Sequence, residues 1–243
     1  MSLADRFAAA SSASEAVPRD VELLPVRLAK ACVQVLPVAG AGLSALAHPD
    51  LRLPIGASDD VASYVERLQF TYGEGPCLQA YLTGRPQLMT AEQLANTWPE
   101  LYRDLTALTP FRAVASLPLL DHSTRIGALD LYLPEPAGLQ PEDLTDAFTV
   151  AGLVSAALVA ARVYTAAAQL SDPFNPSHGT YQQPMAGRIQ VWKAMGMLNV
   201  HLQLTAPDAL ALLRAHAYST ERLIDDLAHD IVTERFPLEQ LRP

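Results

Sequence analysis

The chain has 243 residues, half of them apolar and 18% charged, with a formal net charge of −9. That length allows one large domain or two modest ones, and that composition excludes a globally disordered chain. The negative balance excludes a polycation that coats nucleic acid through charge alone, though not a local basic spot.

Two cysteines, Cys32 and Cys77, are too few for a disulfide framework, and no Cys-x-x-Cys occurs. A reducing, cytoplasmic setting is therefore the expectation. Met1 to Ala16 carries Asp5 and Arg6 and no long apolar run, unlike a signal peptide. The most apolar stretch, Val150 to Ala161, is shorter than the roughly 20 residues that a bilayer span needs. No membrane partner is expected.

In chain order, residues 1–20 read as a flexible tail. Leu24, Leu28, Ala31 and Val35 recur at helical spacing, and Pro37 stops that helix. Gly40 to Ala47 and Leu51 to Ile55 read as strands around a His48-Pro49-Asp50 turn. Asp59 to Phe70 reads as a helix with Ser58 as its N-cap. A glycine-rich turn, Tyr72 to Cys77, leads into a short helix over Leu78 to Thr83. Gln87 to Met89 is a strand and Trp98 to Leu108 a helix. Ala113 to Leu120 and Arg125 to Leu133 pair as strands across Asp121 to Thr124. A long helix follows from Gln140 to Gln169, with Pro141, Glu142 and Asp143 in its first turn. The expected fold class is α+β, with helices against a mostly antiparallel sheet.

Pro173, Pro176 and Pro184, among Asn, Ser, His and Gly, mark residues 169–186 as a linker. Beyond it, Val191, Met195, Leu198 and Leu202 fall on one helical stripe. The other face carries Lys193, Gly196 and Val200, edged by Trp192. Thr205 is the expected N-cap of a second helix with Leu210, Leu213 and Ala217 buried. Thr220 is the expected cap of a third, with Leu223, Leu227 and Ile231 buried. Residues 188–243 hold six Lys/Arg against seven Asp/Glu, so nucleic-acid contact there must be local.

These runs carry a family likeness. Ile189-Gln190-Val191-Trp192-Lys193-Ala194-Met195-Gly196-Met197-Leu198, then Asp208 to Ala217, then Leu227-Ala228-His229-Asp230-Ile231-Val232, together resemble an ANTAR domain over 187–236. Upstream, Gly73-Glu74-Gly75-Pro76-Cys77, Thr83-Gly84-Arg85-Pro86, Ser116-Leu117-Pro118-Leu119 and Ile126-Gly127-Ala128-Leu129-Asp130 resemble a GAF domain over 21–168. The resemblance implies a sensor domain followed by a three-helix RNA-binding module, with residues 237–243 as a tail. It implies a cytoplasmic antitermination regulator and not an enzyme. Its partners would be tandem hairpins in nascent RNA, a small-molecule effector in the sensor domain, and a second copy of the chain.

On that reading Arg188, Trp192, Lys193, Gly196 and Arg214 are the RNA-binding candidates. Ala194 and Gly196 lie about 200° apart on a helix, so Gly196 is assigned to RNA and Ala194 to packing. Each residue also has a plainer reading. Gly196 would serve tight helix packing, Trp192 half-buried core, and Arg214 the capping of carbonyls or a pair with Asp208. Tyr72, Cys77, Leu117 and Asp130 are the candidate lining of an effector pocket, with Cys77 read first as a buried thiol beside a turn. The Gly-Glu-Gly-Pro turn lacks the Lys-Ser/Thr of a phosphate-binding loop. The six histidines show no metal spacing, so no cofactor or metal is expected. Two rival readings are a protein-docking bundle that uses the acidic third helix, through Asp225 and Asp226, and a thiol-based reductase at Cys77.

Overall fold

The computed structural model describes residues 1–13, 23–46, 52–171 and 184–241; the side chains of 53, 162–171 and 184–189 are not among those described. The linker expected at 169–186 and the side chain of Arg188 therefore lie outside the described residues.

Five strands form one antiparallel sheet: β1 (Gly40–Leu46), β2 (Arg52–Ala57), β3 (Gln87–Met89), β4 (Ala113–Asp121) and β5 (Thr124–Leu133), in the order β2-β1-β5-β4-β3. Side chains alternate between its two faces with the period of two that a strand imposes. One face carries Leu43, Ala115, Leu117, Leu119, Leu129 and Leu131. Against it pack α2 (Leu24–Val35) and α7 (Leu144–Ser171), through Leu28, Cys32, Val150 and Val154, and α1 (Leu3–Ser12) packs on those two helices with Phe7 in the same core. The other face is covered by α3 (Asp60–Tyr72), α4 (Pro76–Thr83), α5 (Ala91–Thr97) and α6 (Pro99–Leu108).

Several local expectations are corrected. The first residues are not a loose tail: Ser2 and Asp5 form a capping box that starts α1, and Phe7 anchors that helix in the core. Asp59, not Ser58, caps α3, accepting from the N–H groups of Val61 and Ala62. A Thr90/Gln93 capping box starts α5 ahead of the single helix expected at Trp98. Within Pro141–Ala161, 21 residues, an 18-residue window reaches a mean hydropathy of 1.8, long and apolar enough by composition to cross a membrane. Here Ala147, Val150, Ala151 and Val154 of that segment are seated in the core, and α7 packs on β4.

Towards the C-terminus, α8 (Pro184–Leu202), α9 (Ala206–Ser219) and α10 (Ile224–Val232) pack into one bundle. Thr205 caps α9 as expected, its hydroxyl accepting from the Asp208 N–H. Thr220 ends α9 rather than starting the third helix, whose N-cap is Leu223. The bundle core holds Val191, Ala194, Leu198, Leu210, Leu213, Leu227 and Ile231. It also holds Phe70, which belongs to α3. The bundle is thus completed by a side chain of the sheet domain, and burying one phenyl ring is worth about 2–3 kcal/mol.

Candidate functional site

Beneath α3 and α4, the sheet face that carries Ser44, Ser116, Asp130 and Tyr132 is polar. Gly42 and Ser116 both pair directly with Asp130, so three strands meet at one level. From α3, Glu66 and Gln69 reach down to it, three residues apart on one helical face. Arg52 enters from β2.

Every one of these side chains is buried. Arg52 Nη2 is 2.5 Å from Glu66 Oε2, and Ser44 Oγ donates to the same oxygen at 2.7 Å. Tyr132 OH donates to Glu66 Oε1 at 2.6 Å. Ser116 Oγ donates to Asp130 Oδ1 at 2.5 Å, and Gln69 Nε2 to Asp130 Oδ2 at 2.8 Å. The other end of the Gln69 amide accepts from the Cys77 N–H at 3.2 Å.

That last bond explains the glycine-rich turn. Gly73 adopts the left-handed conformation that ends α3, and Gly75 (φ 124°) brings the chain so close that a Cβ would stand 2.6 Å from Gln69 Oε1. The turn wraps the Gln69 side chain and aims the first turn of α4 at it.

The electrostatics follow from one cation among two carboxyls. Burial works against the Arg52 charge, but the neighbouring Glu66 and Asp130 carboxyls outweigh it. Burial would also raise the Glu66 carboxyl, yet Arg52 and the Tyr132 and Ser44 hydroxyls hold it below its ordinary value. Asp130 is the loser: burial and the neighbouring Glu66 push it up to about 7, against the pull of Arg52 and Ser116. Burial also drives the Cys77 thiol well above its usual range. Glu66, Cys77 and Asp130 bring their ligand atoms within 4.8 Å of one another, which is close enough for a metal ion. Arg52 already occupies that geometry, bonded to Glu66 and 3.9 Å from Asp130 Oδ2, and a protonated thiol is a poor ligand.

The second candidate surface is on α8. Trp192, Lys193, Gly196 and Val200 are exposed along one face, and Ala194 is buried on the other. A Cβ on Gly196 would meet nothing within 4 Å, so this glycine does not serve helix packing.

A GAF domain profile matches residues 24–159. The chain belongs to the GAF domain family. GAF domains are sensor domains of signalling proteins. Among solved structures, the GAF domain of a phosphoenolpyruvate-protein phosphotransferase from Coxiella burnetii is similar at 15% identity and a TM-score of 0.50, covering 68% of this chain and 95% of that one. A domain assigned to a two-component sensor histidine kinase of Sinorhizobium meliloti 1021 is similar at 14% identity and a TM-score of 0.50, covering 63% and 99%. At such identities the likeness shows the fold alone. No curated protein matches the chain.

Within the GAF domain, the four residues expected to line one pocket do not meet. Cys77 and Asp130 converge in the polar cluster. Leu117 points through the opposite face of the sheet into the apolar core, because it is out of phase with Ser116. Tyr72 lies at the end of α3 and turns outward, its hydroxyl donating to Asp104 Oδ2 at 2.5 Å and its ring edge-on to Tyr218 at 5.6 Å. Sequence reasoning missed Ser44, Arg52, Glu66, Gln69, Ser116 and Tyr132.

Arg214 is also corrected. It does not join the exposed α8 face: its Nε donates to the Phe70 carbonyl at 3.1 Å and its guanidinium lies 5.0 Å from the Phe70 ring centroid. The carbonyl-capping reading was the better one, and the helix capped is α3 of the GAF domain. Asp225, half of the proposed acidic docking surface, is buried; Asp226 is exposed.

Proposed function

We propose that this GAF protein is a cytoplasmic regulator, not an enzyme, whose C-terminal three-helix module binds hairpin RNA and acts in transcription antitermination. The observation that carries the reading is the α8 face. Trp192, Lys193 and Gly196 fall within about a third of the helix circumference, with open space above the glycine. An aromatic ring offers a stacking platform for an unpaired base, an ammonium meets a phosphate, and a residue without a side chain lets the backbone of a loop approach closely. The ANTAR likeness of the sequence supports the same face. The shut-away, protonated Cys77 thiol speaks against thiol catalysis.

Two tandem hairpins call for two modules, and a second copy of the chain supplies the other. Its seam is assigned to α7. There Phe148, Gly152, Ala156 and Ala160 form an exposed, uncharged stripe along a groove of about 690 Å³, completed by Pro86 and Pro118.

The test is binding to a tandem-hairpin RNA by Lys193→Ala, Trp192→Ala and Gly196→Leu. Each is expected to weaken binding about tenfold or more, since a stacked base alone is worth about 1–3 kcal/mol, with the circular dichroism spectrum unchanged. Wild-type affinity in all three variants would overturn the assignment.

A further inference from the structure

The helix α3 has two working sides in its last turn. Gln69 points into the polar cluster, bonded to Asp130, Tyr132 and the Cys77 N–H. The next two residues serve the bundle. Phe70 completes the bundle core, and its carbonyl accepts from Arg214 Nε. Thr71 Oγ1 accepts from the Ile224 N–H at the start of α10 and itself donates to the Arg67 carbonyl. Gly73 closes the turn, its N–H shared between the Gln69 and Phe70 carbonyls. A Cβ on Gly73 would stand 2.9 Å from the Arg214 guanidinium carbon.

We infer that this last turn is a coupling element: the hydrogen-bonding state of the buried cluster, read through Gln69, sets how firmly the three-helix module is docked on the GAF domain. The physical ground is short. A displaced Gln69 side chain moves a backbone whose carbonyl shares one N–H with that of Phe70. The Phe70 carbonyl is also the acceptor for Arg214, and Thr71 follows directly. The Phe70, Thr71 and Tyr72 contacts with the bundle thus lie within three residues of Gln69, on a hydrogen-bonded turn that cannot move in parts. The inference does not depend on what the α8 face binds.

The Ile224 amide is the natural reporter, because its hydrogen bond crosses the interface. Amide exchange is to be followed on the full chain at Ile224, at Leu213 in the bundle core and at Leu129 in the sheet. Variants Gln69→Met and Ser116→Ala disturb the cluster from its two sides, and Arg214→Gln disturbs the docking. Each is expected to speed Ile224 exchange about tenfold or more, within the ordinary range of coupling between sites, with Leu213 and Leu129 little changed. Combining Gln69→Met with Arg214→Gln is expected to give less than the product of the single effects. Should Gln69→Met fail to fold, Ser116→Ala carries the same criteria. Unchanged exchange at Ile224 in the cluster variants would overturn the coupling. So would equal acceleration at all three amides, which is loss of global stability, or a purely multiplicative double variant.

Discussion

Gly42 and Glu66 share one volume: a Cβ added to Gly42 would stand 2.1 Å from Glu66 Oε1. The carboxylate is the end of a flexible chain, but it has nowhere to withdraw. It is buried and bonded to Arg52, Ser44 and Tyr132. Gly42→Ala is therefore expected to break the cluster, at about 3–5 kcal/mol, the usual cost of leaving a buried charge without its partner. Urea unfolding measures it, and a loss below about 1 kcal/mol would mean that the cluster can rearrange.

Gly196 should behave in the opposite way. It lies inside α8, and a methyl group there meets nothing within 4 Å. Gly196→Ala is expected to raise stability by about 0.5–1 kcal/mol, because alanine has less backbone entropy to lose in a helix. A rise in the thermal midpoint checks this. A fall would show that the face is covered.

Asp130 ties stability to pH. Its carboxyl is pushed up to about 7 in the fold, from an ordinary value of 3.8. The folded chain therefore keeps a proton that the unfolded chain releases. The stability this contributes is full below the ordinary value and is lost as pH rises through about 7. Within that window the slope approaches about 1.4 kcal/mol per pH unit for a single group. Glu66, held low, is ionised in both states across most of the window and adds little slope there. Asp130→Asn keeps the shape without the charge, so its unfolding free energy should be flatter between about pH 5 and 8. Parallel pH profiles for the two proteins would show that Asp130 is ionised in the fold throughout.

On α7, Phe148 is 46% exposed at one end of a stripe that continues through Gly152, Ala156 and Ala160. Small residues at four-residue spacing let two helices approach closely, and no charge interrupts the stripe. Phe148→Glu is expected to turn a dimer into a monomer in sedimentation analysis, with little change in the thermal midpoint of the sheet domain. A wild-type chain that sediments as a monomer at high concentration would rule out this seam.

The strands were largely legible from sequence because each is a short run bounded by Gly, Pro or Asp. β3 was placed to the residue. The α8 face was legible too, because an exposed helix obeys simple periodicity, and Ala194 and Gly196 separated as the angle required. The polar cluster was not. Ser44, Arg52, Glu66, Gln69, Ser116 and Asp130 come from four strands and one helix, and no local spacing joins them. A usable signal existed: Asp130 alternates with Leu129 and Leu131 inside an apolar strand, where a carboxylate belongs only if it is partnered. Arg214 was misplaced for a related reason. Its partner, the Phe70 carbonyl, lies in another domain and is a backbone atom, which a sequence pattern does not display.

Both cysteines should be silent in the native protein. Cys32 sits in the apolar core, where burial lifts its thiol to about 12, and Cys77 lies under α3 with its thiol also pushed well above the usual range by burial. The thiolate is the reactive species, and neither site populates it or admits a reagent. Titration with an aromatic disulfide is expected to register neither thiol rapidly in the folded chain and both after denaturation. Arg52 is the feature that makes this a real test. It stands in the Cys77 environment and pulls the thiol downward, as an activating cation would. Burial and the two carboxyls act against it, and the prediction is that they win. Rapid native-state labelling that disappears in Cys77→Ser would reverse that ranking, and would restore redox chemistry at the GAF cluster as a competing reading.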